Sequence, residues 1–220
     1  MQTKVTFSIA LVGLTLIASA NTGTKTQTYS AEVDFKKTNW QHVASLPQFD
    51  SSLGELKKIT LCLDGHVKGT IGFENKTNCP TTVHTKLESK IHLKSQSGFE
   101  FISVLPSAKR SIAVSAYDCI DDFGGKSGRT IRDLKDSKSA SAVVSGNQLS
   151  QFVGKGTVLL PIQAVGRSSV SGAPCLKSYT HTFAAAKVTV KYEYNPVPEP
   201  ATMAGLAFGM VALFKKRKKS

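Results

Sequence analysis

The stretch from Leu56 to Phe73, LKKITLCLDGHVKGTIGF, constrains this chain more than any other. Ile59, Leu61, Leu63, Val67 and Ile71 share one parity, and Gly65 and Gly69 fill the gaps in the series. A period of two sends successive side chains to opposite faces of a strand, so alternation over this length predicts one half-buried β-strand. The two glycines mark where that strand is expected to kink or bulge. A second run, Val83 to Leu93, alternates as strictly. Val83, Thr85, Leu87, Ser89, Ile91 and Leu93 form a dry side, and His84, Lys86, Glu88, Lys90 and His92 a wet one.

Further strand runs are expected at Tyr29–Phe35, Phe99–Leu105, Arg110–Tyr117, Ser139–Val144, Thr157–Ile162 and Thr182–Tyr194. Turn-forming clusters such as Asn75–Pro80 separate them. Asn39 to Asp50 reads as irregular and carries the single tryptophan, Trp40. No amphipathic helix emerges beyond one turn at Asn147–Phe152, and no internal repeat is evident. Short strands at regular spacing predict an all-β fold, an antiparallel β-sandwich of jelly-roll or Ig-like type over residues 29–195.

The two ends have a different character. Lys4 precedes an apolar run from Val5 to Ala18, and Ala18-Ser19-Ala20 has the small-x-small form of a signal peptidase site. This predicts a signal helix over residues 1–20, export through the secretion translocon and a polar leader over 21–28. At the other end, Pro196, Pro198 and Pro200 hold the chain extended. The apolar run Ala201–Phe214 follows, about 21 Å long as a helix, which is short for a bilayer span. Lys215-Lys216-Arg217-Lys218-Lys219 then acts as a cytoplasmic stop, so the expectation is a C-terminal hydrophobic helix with transient membrane anchoring.

Charge needs locating before it is interpreted. The formal net charge is +13, but the tail holds five of the positive charges and Lys4 one, which leaves +7 for the middle of the chain. Those lysines are scattered rather than gathered with stacking aromatics, so nucleic acid is not an expected partner. An acidic extracellular polysaccharide remains compatible through long-range attraction. Export also gives the cysteines meaning. Cys62, Cys79, Cys119 and Cys175 are an even set in an oxidising compartment, which predicts two disulfides of undetermined pairing. No CxxC or HxxxH pair supports zinc.

Few residues point to chemistry. Asp118, Asp121 and Asp122 stand beside Gly124-Gly125 and form a candidate calcium set, although their spacing is not that of a Ca²⁺ loop and Asp and Gly also favour turns. Phe123-Gly124-Gly125-Lys126-Ser127 lacks the first glycine of a phosphate loop, since Ile120 stands there, and reads as a hairpin loop. His84 and His92 face the same way but lie about 27 Å apart along a strand. No G-x-S-x-G elbow is present. The expectation is a non-enzymatic body. The alternatives are a carbohydrate- or calcium-binding module using exposed aromatics such as Trp40, or a secreted hydrolase with a Ser–His pair or convergent carboxylates in a cleft.

Val197-Pro198-Glu199-Pro200, the apolar run and the basic cluster closely resemble the PEP-CTERM sorting signal of bacterial exported proteins. The resemblance implies that exosortase, a membrane protease-transpeptidase, recognises Pro198, Glu199 and Pro200. It also implies removal of residues 196–220 and delivery of the body to the cell surface or extracellular polymeric matrix. In the body, Leu46–Leu56, Asp122–Gly128, Phe152–Thr157 and the run Val188–Tyr194 resemble landmarks of the choice-of-anchor E domain, which implies no catalytic residues. The four cysteines and the many lysines depart from that pattern.

Overall fold

The computed structural model describes residues 23–197. The expected signal helix with Ala18 and Ala20, the expected recognition residues Pro198, Glu199 and Pro200, and the expected hydrophobic helix all lie outside the described residues. Ten strands make up the body: β1 (Lys25–Lys37), β2 (Trp40–Pro47), β3 (Gly54–Asn75), β4 (Thr81–Lys94), β5 (Glu100–Val104), β6 (Ser107–Val114), β7 (Gly128–Val143), β8 (Thr157–Gly166), β9 (Ser169–Ser171) and β10 (Leu176–Pro196).

The alternation in β3 and β4 makes both strands central. Their dry residues Ile59, Leu61, Leu63, Ile91 and Leu93 are completely buried, so each needs a neighbour on both edges and a second sheet over its apolar face. One sheet has the order β1-β10-β3-β7 and the other β2-β8-β4-β5, with every ladder antiparallel. β6 and β9 flank the first half of β4, where they continue the lines of β5 and β8. With β5–β6 and β8–β9 each taken as one interrupted strand, there are eight positions. Both sheets then interleave strands from the two halves of the chain, which is jelly-roll rather than Ig-like winding.

The core lies between the sheets. Val188, Val190 and Tyr192 of β10 meet Leu160, Ile162 and Ala164 of β8, and Phe49 and Phe152 close one end. The Tyr192 hydroxyl donates to the Pro47 carbonyl at 2.8 Å, which satisfies its polar tip inside the core. Gly65 lets the sheets approach closely: a Cβ there would stand 2.6 Å from Val104 Cγ2 and 2.9 Å from Ile91 Cδ1. Smaller clusters around Val67, Ile71 and Leu87, and around Phe73, Val83 and Val114, continue toward the opposite end.

The expected strands differ in extent from the observed ones. β3 itself runs unbroken, and the bulge beside Gly69 is carried by its neighbour β7, where Asp133 adopts φ 56°. β1 begins at Lys25, within the expected leader, and β7 begins at Gly128 rather than Ser139. Trp40–Pro47 is a strand although it read as irregular: Trp40, Ala44 and Leu46 face inward, and the exposed His42 between them interrupts the alternation. The expected helical turn at Asn147–Phe152 appears as two short 3₁₀ turns, Gly146–Gln148 and Ser150–Phe152.

Candidate functional site

Three places on the body bear on function, and the first is where it meets the C-terminal segment. β10 is central, and it stays paired to β3 up to Pro196 opposite Gly54. The Val197 N–H then donates to the Leu53 carbonyl at 3.1 Å. Only glycine fits opposite this strand end, because a Cβ on Gly54 would stand 2.0 Å from the Asn195 oxygen. β1 begins beside the same end, with Lys25 opposite Tyr194. Both ends of the body therefore leave from one pole, and no flexible spacer separates the sheet from residue 197.

The opposite pole carries the loop from Ser115 to Ser127. Glu74, completely buried, holds it: its carboxyl accepts from the Phe123 N–H at 2.9 Å and from the Ser127 hydroxyl at 2.5 Å. Asp121 is clamped, its Oδ1 taking Lys76 Nζ at 2.5 Å and the Tyr117 hydroxyl at 2.8 Å, and its Oδ2 taking Lys177 Nζ at 3.2 Å. The Lys76 and Tyr117 hydrogen bonds hold its carboxyl down at about 2, below the ordinary 3.8. Asp118 accepts from the Ile120 N–H, which lowers its pKa, and Asp122 accepts from the Gly124 N–H.

The expected calcium set is thus corrected. Asp118, Asp121 and Asp122 do not converge, because two of them cap local turns and the third is neutralised by lysines. Among the described residues no three His, Cys, Asp or Glu side chains are grouped to hold a metal ion. Glu74 was not singled out from sequence; within the run Gly72–Asn75 nothing distinguishes a buried acid from a solvated one.

The cysteine expectation is corrected as well. All four thiols are unbridged. Cys79, Cys119 and Cys175 are exposed at the loop pole, whereas Cys62 faces outward from the middle of β3, opposite Thr189 and Ser141. Thirteen residues of strand put Cys62 about 40 Å from Asn75 at that pole. A disulfide needs Cα atoms within about 7 Å, so this fold has room for at most one intrachain bridge, not two.

The third place is the outer face of the β1-β10-β3-β7 sheet. A bulge between Val33 and Lys36 turns Phe35 outward, where it remains 41% exposed. Lys68 Nζ sits 4.1 Å from its ring centroid, and the His66 ring lies 6.5 Å away. Two adjoining open hollows of about 180 and 340 Å³ share Phe35 and His66; the larger is lined also by Lys135, Asp136 and Ser137. Lys68 and Lys135 stand directly opposite across the ladder, and among the described residues neither takes part in an ion pair. Like charges opposed in this way weaken a sheet unless something anionic neutralises them. Trp40 is not available as a platform: its ring packs on the core and its Nε1–H donates to the Ala184 carbonyl at 3.2 Å.

Catalytic geometry is sparse. His84 Nδ1 lies 2.9 Å from Ser111 Oγ, but the pair sits on an exposed strand face rather than in a hollow. His92 pairs with Glu100 at 2.6 Å, far from it along β4. Among the described residues no helix is long and apolar enough to cross a membrane.

Comparison with known proteins adds the following. No curated protein matches the chain. Among solved structures it is similar to a chain of the infectious bursal disease virus Gx strain, with 9% identity over 79% of this chain and 37% of that one, at a TM-score of 0.19. It is also similar to the infectious bursal disease virus VP2 subviral particle, with 14% identity over 86% of this chain and 43% of that one, at a TM-score of 0.21. The chain thus spans less than half the length of either. A family model, the PEP-CTERM protein-sorting motif, matches residues 196–219. The match begins at the last residue of β10, and such a motif marks an exported protein of the cell envelope or surface with exosortase as its processing partner.

Proposed function

We propose that the chain is a surface or extracellular-matrix protein whose β-sandwich has a non-catalytic, structural or adhesive role, and that exosortase delivers it by removing the C-terminal segment after recognising Pro198, Glu199 and Pro200. The carrying observation is the direct abutment of the motif on a central strand. Because the Val197 N–H is still hydrogen bonded to the Leu53 carbonyl, the sorting signal begins at a fixed place on the body. The mature end left by cleavage is then a strand of the sheet, which suits a rigid displayed module. The resemblance of the body to choice-of-anchor E domains supports this role. The double variant P198A/E199A should stay full-length and in the membrane fraction, read by fractionation and by mass spectrometry of the C-terminus. Normal processing and release would overturn the assignment.

The Phe35 face favours a second reading, a carbohydrate-binding module. An exposed ring can stack on a sugar, and the opposed Lys68 and Lys135 would accept the carboxylates of an acidic polysaccharide. Affinity electrophoresis in gels containing alginate tests it: retardation should weaken in Phe35→Ala and in K68A/K135A, and fade with added salt. Unretarded migration of the wild type would reject this reading while leaving the sorting assignment intact.

A further inference from the structure

Around the point where Val197 leaves the sheet, the pole carries an apolar rim. The Val197 N–H is bonded to the Leu53 carbonyl. Leu53 follows Phe49, which bridges Val153 and accepts from the Gly154 N–H at 2.9 Å. The Phe152 N–H donates to the Leu149 carbonyl at 3.0 Å, and ring contacts run from Phe152 to Phe101 at 5.9 Å and on to Phe99 at 5.3 Å. Leu53, Phe99, Leu149, Val153 and Val197 thus lie on adjoining turns, and each exposes more than a third of its surface. Among the described residues, the loop pole exposes only Ile120 of this kind. The acids near the rim are already taken up. Asp50 accepts from the Ser52 N–H at 2.9 Å, Glu55 pairs with Lys57 at 2.6 Å, Glu100 with His92 at 2.6 Å and Glu193 with Lys191 at 2.9 Å. Lys25, Lys58 and Lys155 are exposed and, among the described residues, make no ion pair.

We propose that this rim is a lipid-docking surface, which seats the β body on the bilayer for as long as the C-terminal segment remains attached. The inference rests on the sorting reading, in which Ala201–Phe214 inserts into the membrane. The length of chain between the two carries the argument. Val197 is fixed on the body, and only Pro198, Glu199 and Pro200 separate it from Ala201. Four backbone steps reach at most about 14 Å when fully extended, against a headgroup layer about 5–7 Å deep. The pole that bears Val197 is therefore held at the bilayer, while the loop pole, at the far end of β10, is held away from it. Apolar side chains so placed lose contact with water when they enter the interface, and unpaired lysines beside them attract anionic headgroups. The rim is small, so its own hold on lipid is weak and reversible, and removal of the inserted segment frees the body. Until then the seating fixes the height at which Pro198–Pro200 meets a membrane-embedded protease.

The test is photo-cross-linking of the full chain, incorporated into vesicles of phosphatidylethanolamine and phosphatidylglycerol that contain a diazirine-bearing phospholipid, with adducts mapped by mass spectrometry. Adducts should fall on the peptides of Leu53, Phe99 and Leu149–Val153 as well as on residues 201–214, and not on the Ser115–Ser127 loop. The variant L53S/F99S/L149S/V153S should lose the adducts on the rim and keep those on residues 201–214. If its melting temperature shows that it folds poorly, F99S alone serves the same comparison at the Phe99 peptide. Adducts confined to residues 201–214, or spread equally over both poles, overturn the docking and leave the membrane-inserting segment in place. Cross-links between copies at the rim, with no lipid adducts there, overturn it in favour of a second copy as the occupant. No adducts anywhere overturn it together with the insertion on which it rests.

Discussion

At the scale of single residues, burial of polar groups decides more than the apolar pattern shows. Glu74 is shut inside with the Ser127 hydroxyl and the Phe123 N–H as its partners, and Gly128 leaves it room, since a Cβ there would stand 2.3 Å from Glu74 Oε2. Removing this acceptor leaves two donors unpaired, one of them on the buried Ser127, so Glu74→Ala should cost about 3 kcal/mol in urea unfolding. Glu74→Gln keeps one acceptor and the same shape and should cost clearly less; equal losses would mean that the acceptor lost in both variants carries the whole effect. Glu88 tells the same story. Its place in the β4 alternation made it a wet residue, yet it is 6% exposed, because the turn after β8 covers it: the Arg167 N–H donates to the Glu88 carbonyl, and the Ser168 hydroxyl accepts from the Glu88 N–H. Lys86, at 3.0 Å, provides its charge partner. Period-two reading assigns a face correctly, but it cannot know which turn will fold over that face.

At the scale of elements, the Ser115–Ser127 loop shows how turn chemistry substitutes for a metal. Asp residues beside glycines read equally well as ligands or as turn formers, and here each carboxylate is turned toward an N–H or a lysine on an adjacent segment. The clamp on Asp121 has a pH signature. Its folded pKa of about 2 lies below the ordinary 3.8, so its stabilising effect is complete above pH 4 and is lost as pH falls through 2. Protection factors of the loop amides, referenced to intrinsic exchange at each pH, should therefore fall between pH 4 and pH 2 in wild type. In Asp121→Asn the protection factors should be flat across the same range; a matching fall in that variant would place the acid sensitivity elsewhere. Strand lengths were legible only in part. β10 was anticipated from Thr182, where its apolar alternation begins, but it pairs from Leu176, because backbone ladders tolerate the polar residues Lys177–His181 wherever β3 lies alongside.

At the scale of the whole molecule, the two poles divide the work. One pole gathers the start of β1 and the end of β10, and there the sorting motif meets the sheet; the other gathers three of the four cysteines on loops. The sequence by itself pointed to an all-β body, because alternation over Leu56–Phe73 and Val83–Leu93 needs a second apolar layer against one face of each strand. It also determined where the chain is sent, because the Pro-Glu-Pro, apolar and basic order acts as a linear signal that needs no fold to be read. The winding into a jelly roll, the separation of Cys62 from the other thiols, the covering of Trp40 and the exposure of Phe35 were decided only by tertiary structure. The physical reason is that each depends on which strands become neighbours. Register between segments more than a hundred residues apart, such as β1 with β10, is set by the joint burial of both faces of the core and by no local preference of either strand.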